Sequence, residues 1–449
     1  MRPDFSFSYE HTMNLLRRYS LFFGLLFCVC LALPAEADET YTFSLDEIEK
    51  KPYNFGVYVE LKPIQFGLDN DAAFYKLRLY DDPQGKALTE WNGRVQLEGG
   101  YEKKMFRLYA KTNTDLKYSY AGESERSVFY EAYGTLKPIS GLKVDVGKKT
   151  VKWGKGYAWN PVAFVDRPKD PDDPEVAMEG YIMASADYIK SFDGPLTTFS
   201  FTPVLLPVYE HINEDYGNKD KLNMAGRFYF LLYDTDIDLI FITGGSRPDR
   251  YGIDFSRNIT TSFEIHGEYA YMRHVRKTVL TAAGTPLQLE DNAQSWLIGL
   301  RHLTAFDLTT IVEYYHNGTG YTEDEMKNYY HYVHEAYNDY LSTGNASKLN
   351  VARRLAEGGY GRFSAAEDYI YIRLIQKEPF DILYFTSALT CMVNINDGSG
   401  SITPEIFCTG WLTNLELRLR AGFIMGSRQT EFGEKQNDYR IELRAGYYF

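Results

Sequence analysis

The chain ends in Tyr439-Arg440-Ile441-Glu442-Leu443-Arg444-Ala445-Gly446-Tyr447-Tyr448-Phe449. Successive side chains of a β-strand point to opposite faces, so this stretch sorts itself into two sets. Tyr439, Ile441, Leu443, Ala445, Tyr447 and Phe449 share one face, and Arg440, Glu442 and Arg444 begin the other. One face suits lipid and the other suits water. A strand of a soluble sandwich can alternate in the same way, but it rarely ends a chain on an aromatic residue.

Outward from this strand, period-2 segments recur along the chain, separated by turn chemistry. Tight connections fall at 100–103, 138–141, 192–195, 234–235, 257–258, 305–306, 379–380 and 413–414. Longer polar or Gly/Pro-bearing connections lie between them, at 115–126, 154–179, 207–220, 278–294, 317–367 and 426–436. Counted back from Phe449, every tight turn falls at one end, as in membrane barrels with short periplasmic turns and long outer loops. The pattern predicts an all-β chain, a transmembrane antiparallel up-and-down β-barrel over 74–449. It has about 18 strands, with 16 as the alternative count. Residues 53–62 also read as a strand, but adding it would make the count odd. Residues 38–73 are therefore assigned to a periplasmic or lumenal segment.

Composition agrees. The 449 residues are 44% hydrophobic and 24% charged, which excludes a disordered chain. The one long apolar stretch lies at residues 21–33, which excludes a polytopic helical membrane protein. Tyr alone contributes 38 residues, a load typical of the aromatic girdles of membrane barrels. The net charge of -13 argues against a nucleic-acid partner.

The apolar run follows Arg17-Arg18 and ends in Leu33-Pro34-Ala35-Glu36-Ala37, an A-x-A cleavage site before Asp38. It predicts a cleaved signal peptide over 1–37. Two cysteines survive cleavage, Cys391 and Cys408, on either side of the turn Asp397-Gly398-Ser399-Gly400. A disulfide across the hairpin and a pair of free thiols both remain open from sequence.

The terminal strand resembles the C-terminal signal of Gram-negative outer-membrane barrels. Ile441, Leu443, Tyr447 and Phe449 match that pattern. The resemblance implies an outer-membrane location, lipid contact and insertion by the barrel-assembly machinery. A second stretch runs Gly147-Lys148-Lys149-Thr150-Val151-Lys152-Trp153-Gly154-Lys155-Gly156-Tyr157-Ala158-Trp159-Asn160-Pro161. It is similar to a strand-plus-loop motif of porin-like outer-membrane proteins.

The inward faces carry the chemistry. Alternation sends Lys76 and Arg78 to the lumen, then Arg94 and Glu98, then Arg107 and Lys111. Near the C-terminus it sends Glu416, Arg418 and Arg420 there, followed by Arg440, Glu442 and Arg444. Closure of the barrel puts the last strand beside the first, so these residues form one wall, mainly basic. The wall reads as an anion-attracting pore lining or as Arg–Glu ladders that satisfy each other. The acids of 166–175 and 323–325 are assigned to solvated connections.

The 317–367 connection departs from the strand pattern. Tyr329-Tyr330-His331-Tyr332-Val333-His334 and Val351-Ala352-Arg353-Arg354-Leu355-Ala356 favour helix, predicting a partly helical outer loop that folds into the mouth as a constriction. His331, His334 and Glu335 run H-x-x-H-E rather than H-E-x-x-H, and read as surface residues rather than a metal site. Asp166, Asp170, Asp172, Asp173 and Glu175 fit loop solvation better than a Ca²⁺ cradle. Trp153, Tyr157 and Trp159 fit an interfacial girdle better than a sugar-stacking surface. No catalytic constellation and no cofactor motif is present in the sequence.

The expected function is a porin-like channel for passive diffusion of small hydrophilic solutes, anionic ones included. The alternative is a conduit for export or assembly of polysaccharide or a secreted partner. An outer-membrane enzyme ranks below both.

Overall fold

A computed structural model describes residues 52–410 and 412–449. Eighteen strands form one antiparallel sheet, each paired with its neighbours in sequence: β1 Tyr53–Leu68, β2 Ala87–Lys103, β3 Phe106–Ser119, β4 Gly122–Ile139, β5 Leu142–Lys149, β6 Tyr181–Ser191, β7 Leu196–Val208, β8 Lys221–Leu232, β9 Thr235–Thr243, β10 Arg250–Thr260, β11 Phe263–Leu280, β12 Pro286–Leu303, β13 Leu308–His316, β14 Asp368–Lys377, β15 Phe385–Asn394, β16 Gly400–Thr409, β17 Leu415–Met425 and β18 Asn437–Tyr448. The last strand pairs with the first, with Leu61 opposite Ala445 and Ile64 opposite Glu442. The sheet therefore has no free edge, the condition a β-structure must meet in lipid.

Alternation decides which face points where. In β18, Ile441 and Leu443 stay 42% and 49% exposed on the outer face, while Glu442 is buried inside. Phe449 donates its backbone N–H to Val57 O at 2.9 Å, fastening the chain end to β1. The tight turns read from sequence gather at this end of the barrel, and the long connections, 150–180 and 317–367 among them, lie at the other.

Three expectations from sequence change. Phe74 to Leu79 is not a strand but lies in a short helix, α1 (Ala73–Leu79). Its apolar residues fit both periods, and burial of Ala73, Phe74 and Leu77 against other helices selects the helical one. The first spanning strand is instead β1, so residues 53–68 belong to the barrel. One strand lost and one gained leaves the total at 18. The connections expected at 115–126 and 278–294 are mostly strand, closing at Ser119/Gly122 and Leu280/Pro286. The cysteines do not face each other: Cys391 lies opposite Ile402 and Cys408 opposite Phe385, and both are free. Six residues of strand, about 20 Å, separate Cys408 from the position facing Cys391, far beyond disulfide reach. The proposed leader, 1–37, lies outside the described residues.

The long-loop end carries a helical cap. Within 317–367 lie α2 (Glu323–Thr343) and α3 (Ser347–Leu355). Thr322 opens α2 with a reciprocal capping box to Glu325, and Gly344 closes it in the left-handed region at φ 72°. Tyr329, Tyr330, Val333 and Ala336 of α2 pack on Leu349 and Ala352 of α3 and on Phe74 and Leu77 of α1.

Candidate functional site: the lumen and its inner loop

The segment between β5 and β6 turns inward and fills part of the barrel. Its turn is set by Gly154 at φ +97° and by Gly156, where a Cβ would come within 2.1 Å of the Trp159 carbonyl oxygen. This backbone presents a row of N–H groups to two buried carboxylates on strands that flank β12. Glu268 of β11 accepts from Lys155 N at 2.5 Å, Gly156 N at 2.6 Å and Val162 N at 3.2 Å. Glu313 of β13 accepts from Tyr157 N and, at 2.9 Å, from Ala158 N. Lys155 Nζ reaches Asp238 of β9 at 2.9 Å. Asp166 folds the loop on itself, accepting from Val151 N at 2.9 Å and Trp153 N at 3.1 Å; its burial raises the carboxyl above its ordinary value despite these bonds.

Aromatic packing completes the anchor. Trp159 stacks on Tyr315 with centroids 5.0 Å apart and donates Nε1–H to Ser364 Oγ at 2.9 Å. Trp153, Val162, Phe164 and Val165 bury themselves on the inward faces of β6 to β9 and β11. The motif Trp153–Asn160 is thus a lumenal clasp. Trp153 and Trp159, only 2% and 7% exposed, do not form an interfacial girdle.

Farther along, the loop meets the opposite wall. Asp173 accepts from Arg418 of β17 at 3.1 Å and Arg444 of β18 at 3.0 Å, and its carboxylate lies 3.7 Å from Arg420. Arg418 and Arg420 also pair with Glu405 of β16 at 2.7 and 3.2 Å. Arg444 pairs with Glu442 at 3.0 Å and lies 3.7 Å from Glu60 of β1. Burial alone would raise the Asp173 carboxyl, but the three guanidinium groups outweigh it and hold it below the ordinary value. Asp170, half-buried and beside Asp172, moves the other way.

Two cavities of about 200 Å³ each flank this charged cluster. One, toward the short-turn end, is lined by Tyr58, Asp173, Glu416, Arg418 and Arg444. The other, toward the cap, is lined by Phe66, Asp172, Ser401, Thr403, Phe432 and Arg440 among others.

No protein-family model matches the sequence. No curated protein does either. Solved structures do match. OccAB1 of Acinetobacter baumannii gives a TM-score of 0.52 at 9% identity, covering 93% of this chain and 99% of its own. Wzi of Escherichia coli, an outer-membrane protein involved in group 1 capsule assembly and a carbohydrate-binding β-barrel, gives 0.52 at 10%, covering 89% and 85%. OccK2 (OpdF) of Pseudomonas aeruginosa, solved in complex with glucuronate, gives 0.50 at 9%, covering 88% and 98%. The chain shares with them the fold of a closed antiparallel β-barrel. At these identities the likeness is one of fold.

Within this barrel, most of the wall residues read from sequence do face inward. Arg94 pairs with Asp115 at 2.6 Å, Glu98 accepts from Tyr109 Oη at 3.2 Å, and Arg107 lies 5.6 Å from the centre of the Tyr109 ring. Lys111 sits opposite Glu98 and Glu131 in the ladder. Lys76 and Arg78 are displaced from the wall: on α1, Lys76 Nζ lies 3.2 Å from His334 Nδ1, and Arg78 donates to Gln436 Oε1 at 2.9 Å. The 166–175 acids are not all solvated, since Asp166 and Asp173 are buried. His334 is no surface histidine; its Nε2 lies 3.2 Å from the buried Glu434, while His331 stays exposed beside Glu335.

Sequence reading missed the carboxylates that hold the loops. Glu434 accepts from Ala73 N at 2.6 Å and Gln429 N at 2.8 Å, joining α1 and α2 to the 426–436 loop. Burial would raise it, but His334 and these N–H groups keep it below its ordinary value. Glu431 accepts from Tyr369 Oη at 2.6 Å and Asn394 Nδ2 at 2.9 Å. Glu268, Glu313 and Asp238 were findable: each occupies an inward position in an alternating strand, where an acid needs a partner.

Proposed function

We propose that this barrel is a narrow outer-membrane channel for small hydrophilic solutes that carry a carboxylate and hydroxyl groups, sugar acids among them. The observation that carries this reading is the pair of cavities on either side of the Asp173–Arg418–Arg444 cluster. A solute moving along the β16–β18 wall meets guanidinium groups able to bind a carboxylate in fork geometry. It also meets Glu405, Glu416, Ser401 and Thr403, which can accept from hydroxyls. Asp173 holds the same guanidinium groups in the solute-free barrel, so passage exchanges one carboxylate for another. The inner loop, rather than the 317–367 insertion alone, supplies the constriction.

The glucuronate bound by OccK2 fits this solute class. Signal-peptide export, insertion by the assembly machinery through the terminal strand, and lack of enzymatic activity belong to the same proposal. A second reading, a closed barrel that binds carbohydrate during assembly or export, is favoured by the helical cap that Glu431 and Glu434 hold over the mouth. Planar-bilayer recording separates them. Single-channel steps reduced by millimolar glucuronate support the channel, and a silent bilayer with correctly folded protein favours the closed barrel.

A further inference from the structure

A second group of cations lies away from the β16–β18 wall, on the cap side of the inner loop. Arg250 opens β10, and its side chain points inward, two residues above Gly252. At Gly252 an added Cβ would touch Val162 and Phe164 of the inner loop. The Arg250 guanidinium lies 6.0 Å from the centre of the Phe164 ring, and its Nε is sealed from solvent with no hydrogen-bond partner. Arg247, three residues earlier, stacks on the ring of Tyr216 at 4.0 Å and donates Nε–H to the Tyr216 carbonyl oxygen. Tyr216 in turn donates its hydroxyl to Phe164 O at 2.9 Å, so both arginines rest on one tyrosine–phenylalanine platform.

Neither arginine has an ion-pair partner among the described residues. Their neighbour Arg167 does: it pairs with Asp215 and stacks on Tyr181 at 4.5 Å. Arg362, which lines the cap-side cavity and donates only to Gly358 O, adds a third positive field at Arg250. Elsewhere in this lumen the guanidinium groups of Arg418, Arg420 and Arg444 each meet a carboxylate. Here no carboxylate lies within ion-pair distance of Arg247 or Arg250 among the described residues, and the buried Arg250 Nε–H has no acceptor. A half-buried cluster of this kind is costly unless something from solution neutralises it.

We infer that Arg247 and Arg250 form an anion subsite for a multiply charged oxyanion of the phosphate type. The planar N–H forks match phosphate oxygens, and the surplus of positive charge calls for more than one negative charge on the ligand. The ligand would sit above Phe164 and Tyr216, before the inner loop and remote from Asp173. The subsite does not depend on conduction past Asp173.

Isothermal titration of the folded barrel in detergent with inorganic phosphate, at fixed ionic strength, tests the subsite. Saturable binding is expected, weakened about ten- to a hundredfold by Arg250→Gln, the effect of losing one charge-assisted pair. Arg247→Gln, in the loop before β10, should weaken it similarly and serves if Arg250→Gln does not fold; heat-modifiable gel mobility reports folding. Absence of saturable heat, or equal affinity in wild type and both folded variants, overturns the subsite. Phosphate binding by a barrel that passes no current would refute the channel and leave the subsite standing.

Discussion

The Asp173 carboxylate of the inner loop accepts from the Arg418 guanidinium of β17 at 3.1 Å, across 245 residues of chain. This contact joins the loop to the wall that the alternation of the C-terminal strands makes basic. It changes what that wall can do. With Glu405 and Glu442 it compensates the arginines, so the wall offers paired charge rather than a free positive surface.

The pairing has a definite pH window. The folded-state Asp173 carboxyl lies below its ordinary value of 3.8. A depressed carboxyl contributes stability that is present above the unfolded value and lost as pH falls through the folded one. The Asp173 contribution to ion preference, read as the difference between wild type and Asp173→Asn, should therefore hold steady from pH 7 to about pH 4 and fade only below that. Titrations of reversal potential against pH for wild type and Asp173→Asn check this, and a difference between them that vanishes near neutrality would contradict it.

Trp159→Ala should free the inner loop. The side chain is nearly buried, stacked on Tyr315 and bonded to Ser364. Its loss costs about 3–5 kcal/mol locally. The expected outcome is a larger and noisier conductance with the barrel intact by heat-modifiable mobility.

Glu434→Ala should loosen the cap. It leaves the N–H groups of Ala73 and Gln429 and the His334 ring without their shared acceptor, at about 1–3 kcal/mol for the buried groups. Limited proteolysis should then cut near α1 or α2 in the variant and not in wild type, while the barrel strands stay protected.

Much of this architecture is legible in the sequence, and the reason is periodicity. In β18 a two-residue period and a chain end coincide, so the faces of Arg440, Glu442 and Arg444 follow directly. Tight turns such as Pro138 to Gly141 mark one end of the barrel equally well. Phe74 to Leu79 misleads because so short an apolar segment fits either period, and only its packing against α2 decides. The inner loop is illegible for a different reason. Asp173 looks like loop solvation until the fold brings it to its partner, and no local rule contains a contact between residues 173 and 418. Cys391 and Cys408 show the limit of reading a turn without its register.

Both cysteines should be modified by a thiol reagent under denaturing, non-reducing conditions, and mass spectrometry should find no linked peptide. A Cys391–Cys408 peptide would require a different register of β15 on β16.

The central claim is that Asp173 occupies the guanidinium groups of the solute path. Reversal potential in a KCl gradient, measured for wild type and Asp173→Asn in planar bilayers, tests it most directly. The account predicts small single-channel steps with weak ion preference in wild type and a clear shift toward anions in Asp173→Asn, larger at low salt where the freed charges are least screened. Identical reversal potentials in wild type and the variant, with both conducting, would contradict it.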